Sequence, residues 1–287
     1  MRPERHPSPQ TLVIGGDLVV RRPGFGAMRL CGPGVWGELE DPGRADRVLR
    51  RAVDLGVNFI DTADAYGPGA NERRIRSALH PYPEELVIAT KGGYTRQGPG
   101  LWRTNGRPKH LREACEGSLR RLGLDRIDLY QIHRPDRRIP FERTLETLAE
   151  LREEGKVRHV GLSNVTAEQL AVATEVVPIA SVQNRCNLND RRSETVLEAC
   201  ERRGIAFIPW LPLGVGKLAR PGGPLDGIRA RHGASVPQVA LAWLLAKSPV
   251  VLPIPGTSSV RHLEENLAAA RLRLTDGEVR TLTALKP

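Results

Sequence analysis

The sequence predicts an α/β fold, a (β/α)8 or TIM barrel with an N-terminal β-hairpin outside the barrel count. Short runs rich in valine and isoleucine alternate with segments that carry apolar residues at helical spacing, which indicates a parallel sheet covered by helices. Eight such runs can be counted. The length of 287 residues is close to the roughly 250 that are typical of this barrel.

The first predicted element is the hairpin, over residues 11–22. Its sequence TLVIGGDLVVRR joins two apolar runs through GGD, a composition typical of a tight turn. Residues 1–10 contain no apolar run and are expected to be flexible. Because no Ser-rich or low-complexity linker divides the chain, residues 1–287 are expected to form one domain.

The eight predicted strands are short and apolar, and several of them end in polar residues. In chain order they are GFGAMRL (24–30), NFIDTA (58–63), LVIATKGG (86–93), IDLYQIH (127–133), VRHVGLSN (157–164), SVQNRC (181–186), IAFIPWLPL (205–213) and VVLPIPGT (250–257).

Glycine and proline mark the ends of the predicted helices. The helix at 45–56 ends at Gly56, and the helix at 140–155 begins with Pro140 and ends at Gly155. A last helix is predicted over 275–285.

Composition excludes several classes of protein. The net charge is +10, but only six of the 43 basic residues are lysine, and no basic run alternates with aromatic residues as a single-strand-binding groove would. Nucleic acid is therefore not an expected partner. No stretch has the roughly 18 consecutive apolar residues of a membrane span, and no signal peptide is visible. The chain is predicted to be cytoplasmic.

The four cysteines indicate reduced thiols. Cys31, Cys115, Cys186 and Cys200 are widely spaced and form no C-x-x-C pair. This spacing argues against a disulfide framework and against a zinc site, so no metal is expected.

Polar residues at the ends of three successive strands form a candidate catalytic group. Asp61, Lys91 and His133 stand at strand ends, and Tyr66 follows the second strand. In a barrel enzyme, catalytic groups lie at the carboxyl ends of the strands. A phenol with a pKa of about 10 donates a proton more readily beside an ammonium group, and a buried ammonium needs a carboxylate partner.

These motifs resemble the aldo-keto reductase superfamily. NFIDTADAYG, the TK of ATKGG, the QIH strand end, GLSN, SVQN and IPGT stand in the order and approximate spacing of that family, over nearly the whole chain. The resemblance implies a barrel whose bottom is closed by the hairpin, and hydride transfer from a nicotinamide to an aldehyde or ketone. It assigns Tyr66 as general acid, Lys91 and Asp61 as its tuning pair, and His133 as the residue that orients the carbonyl.

The resemblance also implies a set of cofactor residues. Ser163, Asn164 and Gln183 would hold the nicotinamide carboxamide, and Trp210 would stack on the nicotinamide ring. The other implied cofactor residues are Ala27, Met28, Leu211, Leu213, Gly214, Gly256, Thr257, Ser258, His262, Glu265 and Asn266. Of these, Leu213 and Gly214 would lie along the pyrophosphate, and Thr257 and Ser258 would meet the 2′-phosphate of the adenosine.

The sequence departs from the family pattern at the expected phosphate site. Many family members have lysine where Gly256 stands and arginine where His262 stands, and both charges attract a 2′-phosphate. Arg261 is a candidate to compensate. NADPH is the expected cofactor, with NADH as the alternative.

The expected substrate is a small carbonyl compound, and the expected state of the chain is a monomer. Trp36, Trp102 and Tyr94 are candidate pocket walls. CGPGVWG, FIPWLPLG and LPIPGTSSV resemble bacterial reductases of the pyridoxal reductase type, which makes pyridoxal the leading substrate. A ketoreductase acting on a sugar or natural product is an alternative. A lyase with a Schiff base on Lys91, or a cofactor-binding redox sensor, are alternatives of other classes.

Overall fold

The computed structural model describes residues 10–215 and 224–285. Residues 1–9, expected to be flexible, lie outside the described residues, and so do residues 216–223, in the Gly/Pro-rich segment after the seventh predicted strand.

The N-terminal hairpin is confirmed. Strands β1 (Thr11–Ile14) and β2 (Leu18–Arg21) are antiparallel. Apolar side chains on one face of the hairpin pack against residues inside the barrel, among them Phe59 and Leu129. The hairpin therefore covers the amino-terminal end of the barrel, opposite the strand ends that carry the polar residues.

Seven parallel strands follow one another around the barrel in chain order. They are β3 (Phe25–Gly26), β4 (Phe59–Asp61), β5 (Val87–Gly92), β8 (Ile127–Ile132), β9 (Val157–Ser163), β10 (Ile179–Gln183) and β11 (Ala206–Phe207).

The eighth predicted strand, 250–257, closes the barrel without becoming a regular strand. Val251 forms a parallel bridge with Phe207, and the N–H of Gly24 donates to the carbonyl oxygen of Pro253 at 3.0 Å. The segment therefore joins β11 to β3. Pro253 and Pro255 lack the N–H groups that a regular ladder needs.

Ten α-helices are described. They are α1 (Pro42–Asp54), α2 (Ala70–Leu79), α3 (Pro108–Leu122), α4 (Phe141–Glu153), α5 (Ala167–Val176), α6 (Glu194–Arg203), α7 (Pro224–His232), α8 (Val236–Lys247), α9 (Val260–Ala268) and α10 (Asp276–Ala284). The three helices predicted at 45–56, 140–155 and 275–285 correspond to α1, α4 and α10, with ends that differ by a few residues. Within the described ranges, no helix is long and apolar enough to cross a membrane.

One element was not predicted. Strands β6 (Tyr94–Gly98) and β7 (Leu101–Thr104) form an antiparallel hairpin, where the sequence suggested only a long loop. Its turn contains Pro99 and Gly100, and no alternation of apolar and polar residues marks its strands. The hairpin follows β5, so it stands at the carboxyl end of the barrel.

Candidate active site

The four residues predicted to be catalytic meet at the carboxyl end of the barrel. Asp61 ends β4, Lys91 lies at the end of β5, and His133 follows β8 directly. Tyr66 lies in the segment between β4 and α2. All four are buried.

Lys91 and Asp61 form a buried ion pair. The Nζ of Lys91 lies 2.6 Å from Oδ1 of Asp61 and donates to the carbonyl oxygen of Thr62 at 2.8 Å. Exposed fractions of the two side chains are 0% and 3%. Burial lowers the pKa of Lys91, and the charge of Asp61 opposes that shift. A buried pair of this kind persists only when further hydrogen bonds satisfy it.

Two glutamine side chains supply such bonds to Asp61. The Nε2 of Gln183 donates to Oδ2 of Asp61 at 2.7 Å, and the Nε2 of Gln131 donates to the same oxygen at 3.3 Å. The carboxylate is therefore held from strands β8 and β10 as well as by Lys91. Gln183 was predicted to hold the nicotinamide carboxamide. That role does not explain the bond to Asp61, in which the amide nitrogen of Gln183 already has a partner within the protein.

Tyr66 lies beside this ion pair. The Nζ of Lys91 is 5.2 Å from the centroid of the Tyr66 ring. Burial, and after it the negative charge of Asp61, raises the pKa of Tyr66 well above its ordinary value. Tyr66 is thus held as the protonated phenol. Stabilisation of the phenolate by Lys91, expected from the sequence, stays a prediction.

His133 is enclosed by aromatic rings. Its ring centroid lies 5.7 Å from that of Tyr66, 4.6 Å from that of Tyr94 and 6.1 Å from that of Trp102, all edge to face. Burial, and then the positive charge of Lys91, lowers the pKa of His133 well below its ordinary value. Its Nδ1 is buried and has no hydrogen-bond partner among the described residues. A neutral imidazole is therefore present next to Tyr66 at neutral pH.

Two further acidic residues, Asp64 and Glu72, lie close to the tetrad formed by Asp61, Tyr66, Lys91 and His133. Neither was among the residues predicted from the sequence. Burial, and then the charge of Glu72, raises the pKa of Asp64 to about 8. Glu72 is fully buried; it accepts from Oγ1 of Thr90 at 2.6 Å and from Nε of Arg121 at 2.6 Å. An Asp two residues before Tyr66 and a Glu in the next helix were visible in the sequence, but nothing there indicated their burial.

The residues assigned to the nicotinamide lie together at the ends of β9 and β11. Asn164 has a left-handed backbone, φ 60°. Its Nδ2 donates to the carbonyl oxygen of His133 at 3.0 Å and to Oγ of Ser163 at 3.0 Å. Its Oδ1 accepts from Nε1 of Trp210 at 3.2 Å. Trp210 is therefore oriented by the same asparagine that is tied to His133.

The start of the loop after β11 is held against Asn187. The Nδ2 of Asn187 donates to the carbonyl oxygen of Leu211 at 3.0 Å, and Leu211 has φ 54° with its side chain 41% exposed. A Cβ at Gly214 would lie 2.5 Å from Nδ2 of Asn187, so a larger residue there would displace the amide of Asn187. Leu213 is half-buried in the same segment.

The absence of lysine at Gly256 has a packing reason. A Cβ at Gly256 would lie 2.6 Å from the carbonyl oxygen of Gly26, and a Cβ at Gly26 would lie 2.6 Å from the carbonyl oxygen of Ile254. Residues 254–256 and β3 thus approach backbone to backbone where the barrel closes. Met28, on the short 3₁₀ helix just after β3, is 37% exposed, while its neighbour Ala27 is buried.

The residues expected to contact the adenosine part of the cofactor lie at the start of α9. Ser259 is the N-cap and accepts from the N–H of His262, and Oγ1 of Thr257 accepts from the N–H of Ser259 at 3.0 Å. The carbonyl oxygen of Ser258 accepts from Nε of Arg44 at 2.5 Å. Among the residues placed there, His262 is exposed, Glu265 is half-buried and Asn266 is buried. Arg44, from α1, was not among the predicted residues.

Arg96 fixes the unpredicted hairpin and was also missed. Its guanidinium donates to the carbonyl oxygens of Val35 at 3.0 Å and Ala65 at 2.8 Å. Its carbon atom Cζ lies 3.6 Å from the centroid of the Trp102 ring and 5.7 Å from that of Trp36. Further bonds reach Gly34, Gly98 and Leu101. Arg96 therefore links the loop after β3, the loop after β4 and its own hairpin. It also holds Trp36 and Trp102 together as one aromatic wall.

The three predicted pocket residues lie on this wall. Trp102 stands edge-on to Tyr66 at 6.3 Å between centroids and to Tyr94 at 5.3 Å. The hydroxyl of Tyr94 accepts from Nε of Arg134 at 2.8 Å. Trp36 and Trp102 are each 36% exposed. The structure thus brings aromatic rings next to the tetrad, and the two tryptophan rings remain partly exposed to solvent.

Replacing Arg96 with glutamine is expected to raise the KM for a substrate that packs against this wall about tenfold, because a cation–π pair that is partly desolvated contributes roughly 1–2 kcal/mol. The value of kcat is expected to change less, since Arg96 does not touch Tyr66. Steady-state kinetics measures the effects on KM and on kcat separately. The control is Arg103→Gln, an exposed position on the same hairpin. Equal effects of the two substitutions would contradict a specific role of Arg96.

Comparison with known proteins finds matches over most of the chain. A family model described as "Aldo/keto reductase family" matches residues 24–287. An uncharacterised oxidoreductase of Schizosaccharomyces pombe, C215.11c, is 50% identical over 91% of this chain and 85% of its own length. Pyridoxine 4-dehydrogenase of Escherichia coli K12 is 43% identical over 94% of this chain and 96% of its own length.

A solved structure has the same fold. The aldo-keto reductase of Klebsiella pneumoniae in complex with NADPH superimposes with a TM-score of 0.80 and is 26% identical, with 95% of this chain and 93% of that chain covered. The (β/α)8 architecture predicted from the sequence is confirmed.

Proposed function

The chain belongs to the aldo/keto reductase family, and we propose that it reduces the aldehyde of pyridoxal with NADPH, with Tyr66 as the general acid. One observation carries the proposal: the buried Tyr66 ring lies 5.2 Å from Nζ of Lys91, which is paired with Asp61, and 5.7 Å from the ring of His133. Carbonyl reduction needs a proton donor and a hydrogen-bond partner for the same oxygen, and this arrangement supplies both.

The proposed mechanism assigns one task to each residue. When bound, NADPH supplies a hydride to the carbonyl carbon. Tyr66 donates its phenolic proton to the oxygen on which negative charge develops, and the nearby Lys91 ammonium stabilises the phenolate that this leaves. Neutral His133 hydrogen-bonds the same oxygen and orients the carbonyl. Asp61 keeps Lys91 charged and in place.

The residues at the carboxyl end of the barrel fit a dinucleotide. Trp210 offers an oriented aromatic ring, and Ser163 and Asn164 offer polar groups beside it. At the other end, Arg44 and the exposed first turn of α9 offer donors to a phosphate. In the relative from Klebsiella pneumoniae, NADPH is the bound ligand.

Pyridoxal is favoured as substrate by two observations. Its planar heteroaromatic ring can pack against the wall of Trp102, Tyr94 and Trp36. Dehydrogenation of pyridoxine at carbon 4, the activity named for the Escherichia coli relative, is the reverse of pyridoxal reduction. NADPH oxidation measured against pyridoxal, simple aromatic aldehydes, methylglyoxal and keto sugars tests the choice. A higher kcat/KM for a keto sugar than for pyridoxal would reject it.

A lyase with a Schiff base on Lys91 fits the site less well. The lysine side chain is fully buried and its ammonium group is bonded to Asp61 and to Thr62. An attacking amine must be neutral and must reach the substrate carbonyl, and both requirements would break this pair. Borohydride is therefore expected to trap no substrate adduct on Lys91.

The rate of reduction is expected to change little between about pH 6.5 and 10, the ordinary pKa values of histidine and tyrosine. Burial moves the pKa of His133 below this range and that of Tyr66 above it, so the imidazole stays neutral and the phenol stays protonated throughout. A small fall in kcat is expected near pH 8, because Asp64 ionises there and its negative charge makes Tyr66 a weaker acid. The pH profile of kcat, measured again in Asp64→Asn, should lose that fall. An acid limb with a pKa near 7 would contradict a neutral His133.

Arg44→Gln is expected to weaken NADPH binding about tenfold, the effect of losing one charge-assisted hydrogen bond, and to leave NADH binding unchanged. Nε of Arg44 donates to the carbonyl oxygen of Ser258, a residue proposed to meet the 2′-phosphate, so its guanidinium would lie beside that phosphate. His262→Arg is expected to act in the opposite direction. Fluorescence titration with both cofactors gives the affinities. Arg47→Gln, on the same helix and paired with Asp41, is the control, and a parallel loss of NADH affinity in Arg44→Gln would reject the assignment.

A further inference from the structure

A basic groove lies on the outside of the barrel, between α2 and α3, away from the proposed cofactor residues. Its volume is about 550 Å³. Among the described residues, no acidic side chain and no phenylalanine, tyrosine or tryptophan lines it. Its lining residues are Arg73, Arg76, Ser77, His80, Arg120 and Arg121.

The lining residues of α2 and its C-cap lie on one face. Arg73, Arg76, Ser77 and His80 follow the spacing i, i+3, i+4 and i+7, which places side chains side by side along a helix. All four are exposed. The end of α3 faces them, because an Nη of Arg76 donates to the carbonyl oxygen of Arg120 at 3.1 Å.

The charges of this groove are largely uncompensated, unlike those nearby. Arg74 on α2 pairs with Glu38 and Asp46, and Arg112 on α3 pairs with Glu150 and Glu154. Within the described ranges, Arg73, Arg76 and Arg120 have no carboxylate within ion-pair distance. Arg121 alone is neutralised, by the buried Glu72 at 2.6 Å.

We propose that this groove binds a small ligand with two or more adjacent phosphate groups. Three unpaired guanidinium groups in one concave site can each offer a planar pair of donors, and phosphate oxygens match that geometry. A short polyphosphate fits the size of the groove. A nucleic acid strand fits less well, because the described lining has no tryptophan, tyrosine or phenylalanine for a base to stack on.

The arrangement of Arg121 connects the groove to the interior. This residue lines the groove and holds Glu72, and Glu72 also accepts from Thr90, the residue before Lys91. Because Arg121 already has a partner and is not replaced in the test, the tetrad is left untouched by the variants below.

Isothermal titration of the full chain with pyrophosphate and with tripolyphosphate, after saturation with NADP⁺, tests the proposal. Bound NADP⁺ prevents the probe from binding at the sites that the cofactor phosphates occupy. One site per chain is expected. The double variant Arg73→Gln/Arg120→Gln is expected to bind at least tenfold more weakly, because two charge-assisted contacts are lost. The matched variant Arg74→Gln/Arg112→Gln, which removes two paired arginines from the same helices, is expected to bind as the unmodified chain does.

Several outcomes would overturn the assignment. Absence of saturable binding, several weak sites per chain, or equal weakening in both double variants would each do so. Citrate that binds as tightly as tripolyphosphate would show a site for negative charge rather than for phosphate. The affinity for NADPH, measured on the same variants, is expected to stay unchanged, which separates this proposal from the proposed reductase activity.

Discussion

Replacing Tyr66 with phenylalanine is expected to lower kcat for carbonyl reduction about 10²- to 10⁴-fold, the usual contribution of a positioned general acid. The substitution removes the phenolic proton and leaves the ring, whose contacts with His133 and Trp102 are edge-on. The fold and the affinity for NADPH are therefore expected to remain. Steady-state kinetics with pyridoxal, together with fluorescence titration of NADPH, measures both quantities.

Tyr94→Phe is the matched control for that prediction. Tyr94 also packs against His133, and its hydroxyl accepts from Arg134 rather than lying beside Lys91. Its loss is expected to affect KM more than kcat. A comparable fall of kcat in Tyr94→Phe, or a parallel fall of NADPH affinity in Tyr66→Phe, would show that Tyr66 is not the acid.

Replacing Lys91 with methionine is expected to abolish measurable reduction and to lower the free energy of unfolding by about 3–5 kcal/mol, the cost of leaving one partner of a buried pair alone. Asp61 would keep only the amide donors of Gln183 and Gln131. Urea unfolding at neutral pH measures the loss.

The double variant Asp61→Asn/Lys91→Met separates stability from catalysis. With both charges removed, no buried carboxylate is left without its cation, so most of the lost stability is expected to return. Activity is expected to stay absent, because nothing then stabilises the phenolate of Tyr66. A double variant as unstable as Lys91→Met would contradict the account of the pair.

The barrel and the tetrad could be predicted because each carries a strong local signal. Alternation of apolar runs with amphipathic segments gives the order of strands and helices, and the strand ends of a parallel barrel must meet at one face. Asp61, Lys91 and His133 each stand at or near the end of a predicted strand. Their proximity in space then follows from the topology alone.

Features that depend on side-chain packing could not be predicted in this way. The hairpin of β6 and β7 is held by Arg96, whose partners outside the hairpin lie in two separate loops, after β3 and after β4. The raised pKa of Tyr66 depends first on burial, and a sequence gives no measure of that burial. Arg44 reaches Ser258 only because α1 and the start of α9 lie side by side.

Transfer of deuterium to pyridoxal from NADPH that carries two deuterium atoms on its hydride-donating carbon is the most direct measurement. In a single turnover, the alcohol product is expected to contain one deuterium atom, and Tyr66→Phe is expected to slow its formation without changing the label. Product without deuterium, or no product while NADPH and pyridoxal are both bound, would contradict the proposed reductase.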